Sequence, residues 1–124
     1  MASHYRDFAA FWPYYLRQHS KPATRAAHIV ATSLAVVGLA GSLYRIGASA
    51  SRGHFDLSDL ECAGSGIAAA YAIAWISHFA IEKNAPATFE YPLLSFRADI
   101  KMLGLALRGE LEREVKHAAQ RDGV

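Results

Sequence analysis

Six histidines occur in 124 residues, and three of them have a spacing that could bring them together. His19 precedes a turn that contains Pro22, and His28 follows it in the first turn of the next apolar stretch. On one straight helix these two would face opposite ways, because nine steps of about 100° end near 180°. With Pro22 bending the chain, they can instead converge across the turn. His78 lies near the end of a second apolar stretch, and Glu82 follows at i+4 on the same helical face. If the two stretches run antiparallel, His28 at the start of the first lies level with His78 and Glu82. Three histidines and a carboxylate then gather at one edge of the molecule, by topology alone.

Neutral imidazoles with a carboxylate suit Fe(II) or zinc, and a histidine-rich site with open positions is the pattern of non-haem iron oxygenases. The bland alternative is that each histidine merely hydrogen-bonds a backbone carbonyl. An ionisable residue at membrane depth is costly, which favours function. His4, His54 and His117 sit in polar segments and read as solvated. Asp99 either complements the dipole at the start of the last helix or reaches the cluster. Arg25 either pairs with a substrate carboxylate or is a basic residue at a membrane edge. Other chemistries find no support. Cys62 has no partner for a disulfide, no serine has a triad motif around it, and no glycine-rich phosphate loop is present.

The elements that must position these residues are helices. The chain is 52% hydrophobic with a net charge of +2, which excludes disorder and gives no nucleic-acid footprint. Its length fits one domain, residues 1–124. Ala26–Tyr44 and Cys62–Ile81 contain no Asp, Glu, Lys or Arg. At about 1.5 Å per residue each reaches roughly 30 Å, the thickness of a bilayer's hydrocarbon core. The alternative is two buried helices of a soluble bundle. Residues 4–19 carry Phe8, Phe11, Trp12 and Tyr15 at i, i+3, i+4, i+7, a stripe suited to a membrane interface or to an aromatic core face. Thr24 could cap the first apolar helix. Residues 47–53 read as a loop, with at most a short helical turn before Glu61. Gly64, Ala68 and Ala72 form a stripe that lets a second helix approach, and Gly38 with Ser42 gives a weaker patch on the first. Asn84–Pro92 ends the second run. Residues 95–118 read as one amphipathic helix, with a solvated tail over 112–124.

The expected fold is therefore all-α: a small membrane-embedded bundle with a two-helix transmembrane hairpin (26–44 and 62–81) and interfacial amphipathic helices at 4–19 and 95–118. The first 25 residues lack the order of a cleavable signal. Lys and Arg number four in residues 1–25, two in 45–61 and seven after 82, which predicts both termini on the cytoplasmic side of an integral membrane protein. In a bacterium this would be the cytoplasmic membrane. A second copy could close a site between the helices, as a homo-oligomer.

Four segments carry a family resemblance. Tyr15-Leu-Arg-Gln-His19 with Arg25-Ala-Ala-His28 resembles Tyr-x3-His and Asn-Arg-x2-His elements. His78-Phe-Ala-Ile-Glu82 continuing to Pro86-Ala87 resembles His-x3-Glu-x3-Pro-Ala, and Tyr91-Pro-Leu-Leu-Ser95-Phe-Arg-Ala-Asp99 resembles Tyr-Pro-x2-Ser-x3-Asp. These elements are those of the small membrane-protein family that includes the fungal 2-hydroxy fatty acid dioxygenase. The resemblance implies an Fe(II)-dependent enzyme that uses O2 to shorten 2-hydroxy fatty acids by one carbon. It implies His19, His28 and His78 as iron ligands and Glu82 as a fourth ligand or a neighbour of one. Thr24 and Ala74 depart from the family pattern, which has Asn and Gln there. Two rival readings remain: a bis-histidine haem protein held by His28 and His78, and a non-catalytic membrane scaffold. The histidine-rich di-iron hydroxylases fit poorly, since the chain has no His-x2-His-His.

Overall fold

The computed structural model describes residues 5–122, and every regular element among them is helical. The His4 expectation lies outside the described residues. α1 spans Phe8–Gln18, α2 Pro22–Ser51, α3 Glu61–Ile76, α4 Pro92–Arg108 and α5 Leu111–Asp122. A 3-10 turn at Leu57–Leu60 leads into α3, a π-helical turn at Ser77–Glu82 ends it, and a second 3-10 turn at Ala87–Phe89 precedes α4.

α1 begins behind Asp7, whose side chain accepts the Ala10 N–H at 2.8 Å. Its aromatic stripe takes the core role: Phe11, Trp12, Tyr15 and Leu16 are buried against Ala98, Met102 and Leu105 of α4 and Leu111 and Ala118 of α5. Pro13 sits inside this helix and removes one donor, a cost that the packed stripe offsets. Trp12 Nε1–H donates to Glu114 at 2.9 Å, so α5 is docked on α1. The single helix expected over 95–118 is in fact two. Gly109 adopts φ 73°, which glycine allows without strain, and separates α4 from α5. The charged tail expected from Glu112 is helical as far as Asp122, with most of its side chains over 112–120 exposed or half-buried.

α2 has 30 residues, longer than the 26–44 stretch. It starts at Pro22, pre-set for the first helical position, with Lys21 rather than Thr24 at the cap. It also absorbs most of the expected 47–53 loop, because nothing before Arg52 breaks it. α2 and α3 form an antiparallel hairpin whose seam differs from the predicted stripe. A Cβ on Gly38 would clash with the Cys62 carbonyl oxygen, and one on Gly66 would lie 2.6 Å from the Leu34 carbonyl oxygen. Gly64 meets nothing, and Gly64, Ala68 and Ala72 are exposed. Ser42 holds its predicted place, accepting the Ala63 N–H at 2.8 Å.

Two helical stretches, Pro22–Ser51 and Leu57–Glu82, are long and apolar enough to cross a membrane. Only 22% and 11% of their most apolar windows are buried. Val37, Leu43, Tyr44 and Ile76 are each more than 60% exposed. The hairpin therefore displays large apolar side chains on its outer faces.

Candidate metal centre

Two breaks in the helical backbone and the start of one long helix deliver the three histidines. His19 is the C-cap of α1, His28 lies in the second turn of α2, and His78 lies in the π-helical turn after α3. The π turn is closed by Lys83 at φ 64°, a left-handed conformation uncommon for a side-chain-bearing residue, and the Asn84 N–H bonds back to the His78 carbonyl at 3.0 Å. Such turns recur at functional sites, and this one sets the aim of His78.

The imidazoles meet edge to face. Ring centroids lie 4.2 Å apart for His19–His28, 4.6 Å for His19–His78 and 4.8 Å for His28–His78. All three are buried, and one ligand nitrogen from each lies within 4.8 Å of the others.

Each ring also has an oxygen at Nδ1. His19 Nδ1–H donates to the Tyr15 carbonyl at 2.6 Å, and His78 Nδ1–H donates to Asn84 Oδ1 at 2.7 Å. His28 Nδ1 lies 3.5 Å from Asp99 Oδ1. An acceptor at Nδ1 fixes the tautomer and leaves Nε2 with its lone pair, the arrangement found behind metal-bound histidines. Nε2 of His19 and both ring nitrogens of His28 are buried without a hydrogen bond. Burial, with His28 alongside, holds His19 well below the usual histidine range, so it is neutral at pH 7. Three converging imidazoles, two of them with unpaired buried nitrogens, fit a divalent transition metal.

The acceptors are themselves fixed. Tyr15 is fully buried and donates its hydroxyl to Asp99; burial and that carboxylate push its ionisation well above 10. Asn84 Nδ2 donates to the backbone and side-chain oxygens of Gln18, both at 3.1 Å. Gln18 and Asn84 were not singled out in the sequence, where Asn84 reads only as a helix breaker. The i–4 spacing of Tyr15 to His19 was the one visible sign of this support.

The remaining expected site residues are placed differently. Glu82 does not join the histidines. It accepts from Ser20 Oγ at 2.9 Å and the Lys21 N–H at 2.6 Å, and thereby ties the π turn to the α1–α2 corner. Arg25 is buried, but its Nη1 donates to the carbonyls of His19 at 2.9 Å and Ser20 at 2.8 Å. Its other nitrogen lies 3.5 Å from Glu112. Arg25 therefore braces the corner that carries His19 and is not among the residues lining the cavity. Asp99 both touches His28 and lines the cavity.

That cavity is a groove of about 170 Å³ running from His28, His78 and Asp99 along the apolar faces of α2 and α3. Ala74 lines it, while Thr24 is buried in the first turn of α2. The haem alternative has no room, because His19 packs against both His28 and His78 in the space a macrocycle would need.

Comparison with known proteins yields one family. The family model described as 2-hydroxy-palmitic acid dioxygenase Mpo1-like matches residues 5–111. No curated protein and no solved structure matches the chain. The match spans most of the chain, and the protein belongs to the Mpo1-like family.

Proposed function

We propose that this chain is a membrane-embedded, Fe(II)-dependent dioxygenase that shortens 2-hydroxy fatty acids by one carbon. The observation that carries the reading is the set of three buried imidazoles, each with an oxygen at Nδ1, two of which, His28 and His78, line an apolar groove. Family membership supplies the reaction class.

Charge accounts for the choice of substrate. Three neutral ligands leave a divalent ion its full charge, and no lysine or arginine lines the groove. A carboxylate entering there has only the ion as counter-charge, and an adjacent hydroxyl lets it chelate through two oxygens. Bound iron supplies the redox chemistry with O2. The reaction balances without an external reductant: R–CH(OH)–COOH and O2 give R–COOH, CO2 and H2O, with the C1–C2 bond broken. Asp99 is the carboxylate beside His28 in the groove and accepts the proton of the substrate hydroxyl, while Tyr15 holds it in place. Arg25 and Glu82 act as braces: one holds the carbonyls around His19, the other joins the π turn to the α1–α2 corner.

The exposed apolar sides of α2 and α3 support a membrane-spanning hairpin, with both termini on the cytoplasmic side as the Lys and Arg distribution predicts. The acyl tail then lies between apolar helices at membrane depth.

The test is metal analysis of protein purified anaerobically in detergent, beside His19→Ala, His28→Ala and His78→Ala. Near-stoichiometric iron that is lost in each variant, together with O2-dependent shortening of a 2-hydroxy fatty acid, is the expected result. Folded protein that binds no metal after Fe(II) addition leaves the histidines a structural role, as in a scaffold. Zinc retained in place of iron with no O2 consumption overturns the dioxygenase.

A further inference from the structure

The shape of the groove says how an acyl chain enters and how much of it is held, given the function proposed above. On α2 its lining runs from His28 to Leu39, and on α3 and the π turn it runs from His78 back to Ile67. Each wall covers eleven residue steps in opposite directions, about 16 Å at about 1.5 Å per residue. An extended alkyl chain advances about 1.25 Å per carbon, from a C–C bond of about 1.5 Å at a tetrahedral angle, so each wall matches about 13 carbons.

Between the walls Ala31, Ala35, Ala70 and Ala74 contribute only methyl groups, leaving room for one narrow chain. The rims are different. Val36, Leu39, Ile67, Tyr71 and Trp75 line the groove, yet each is 37–44% exposed. The groove is therefore open along its side as well as lined with carbon. Its imidazole and carboxylate groups, His28, His78 and Asp99, all stand at one end. A single chain with one anionic, chelating end complements that distribution of charge. A second polar group at the other end of the chain would meet an apolar wall.

The geometry points to a lateral slot: a straight-chain 2-hydroxy acid slides in sideways from the bilayer, and α2 and α3 grip about the first dozen carbons beyond C2. Within lipid the gain comes from close packing and not from apolarity, so carbons further along, beyond the slot's contacts, stay in lipid and gain nothing from the protein. Ala35 is the specificity-determining position. It lies seven residues past His28, about 10 Å along α2, so a large side chain there obstructs only chains longer than about eight carbons beyond C2.

The test uses full-length protein in nanodiscs, loaded with Co(II), whose visible spectrum responds when a chelating acid binds. Apparent affinity is read for 2-hydroxyhexanoate, 2-hydroxydecanoate, 2-hydroxypalmitate and 2-hydroxyarachidate. In the wild-type chain it rises as far as 2-hydroxypalmitate and then levels off. Ala35→Phe weakens 2-hydroxypalmitate by about tenfold or more but leaves 2-hydroxyhexanoate as in wild type, which also shows that the variant is folded. Ala35→Leu gives a smaller loss of the same kind should the phenylalanine variant not fold. Val37→Phe, at a position of the same helix that is 68% exposed and outside the groove lining, changes neither acid. If both acids lose affinity equally, or neither does, the slot is overturned and the metal-centre reading stands. A Co(II) spectrum that no acid perturbs overturns the proposed substrate, and the slot's occupant with it.

Discussion

At one end of the α2–α3 hairpin, buried polar groups close on one another; at the other, two of three buried imidazoles leave nitrogens without partners. At the far end, Ser49 Oγ donates to Asp59 Oδ2 at 2.6 Å, and the Asp56 N–H reaches the same oxygen at 3.3 Å. Arg45 Nε lies 3.5 Å from Asp59 Oδ1, and Ser42 Oγ takes the Ala63 N–H. That end is a clamp, complete within the chain. At the near end, His19 and His28 keep unpaired nitrogens although Tyr15 and Asp99 orient the rings. An unsatisfied buried polar group costs about 1–3 kcal/mol. At the near end three such ring nitrogens share one small volume, an arrangement that a bound cation would relieve.

The largest expected effect tests this contrast directly. Fe(II) or Co(II) at about a hundredfold excess over its dissociation constant stabilises the wild-type protein by about 2.7 kcal/mol, read as a rise in unfolding temperature. The gain disappears in His28→Ala and survives in Ser42→Ala. Equal gains in both variants would erase the distinction between the two ends.

A somewhat smaller effect belongs to Asn84. Replacing it with leucine removes the acceptor that fixes the His78 tautomer, and metal affinity should fall about tenfold to a hundredfold in a chelator competition. Asn84→Asp retains an acceptor and should recover most of that loss. If the two variants bind metal equally weakly, Asn84 acts through its bonds to Gln18 instead.

The two ends also differed in how far they could be read from sequence. The convergence of His19, His28 and His78 was legible because a proline turn and an antiparallel hairpin leave few places for them. Their supporting oxygens were not. The Tyr15 carbonyl is a backbone atom, and Asn84 reaches His78 only through the left-handed turn at Lys83, which no local pattern announces. Glu82 illustrates the limit of spacing arguments: it shares a turn with His78, but the Lys21 N–H and the Ser20 hydroxyl take its oxygens. The fold was legible in the charge-free runs, which mark the two apolar helices, although α2 extends past its run at both ends. It was misread at Gly109, where one residue's positive φ divides an otherwise amphipathic run.

The hairpin seam offers the next test. Gly38→Ala drives a methyl group into the Cys62 carbonyl and should cost about 1–3 kcal/mol of stability. Gly64→Ala meets nothing and should be neutral or stabilising by up to about 1 kcal/mol, since alanine is the better helix former. A comparable loss from Gly64→Ala would mean that the exposed stripe packs against another helix, such as that of a second copy.

The smallest effect is expected at the clamp itself. Ser42 caps an N–H in the first turn of α3, and Ser42→Ala removes that acceptor for about 1 kcal/mol. Ser42→Thr keeps the hydroxyl and should retain most of the stability. Neither change should alter metal affinity or the dependence of acid binding on chain length, because the clamp lies beyond the Leu39 end of the groove. The two ends communicate only through two helices already in backbone contact at Gly38 and Gly66, and a local loss of one hydrogen bond does not move that contact. If Ser42→Ala loosens metal binding as well, the hairpin transmits strain along its length, and the far clamp belongs to the machinery that holds His28 and His78 in register.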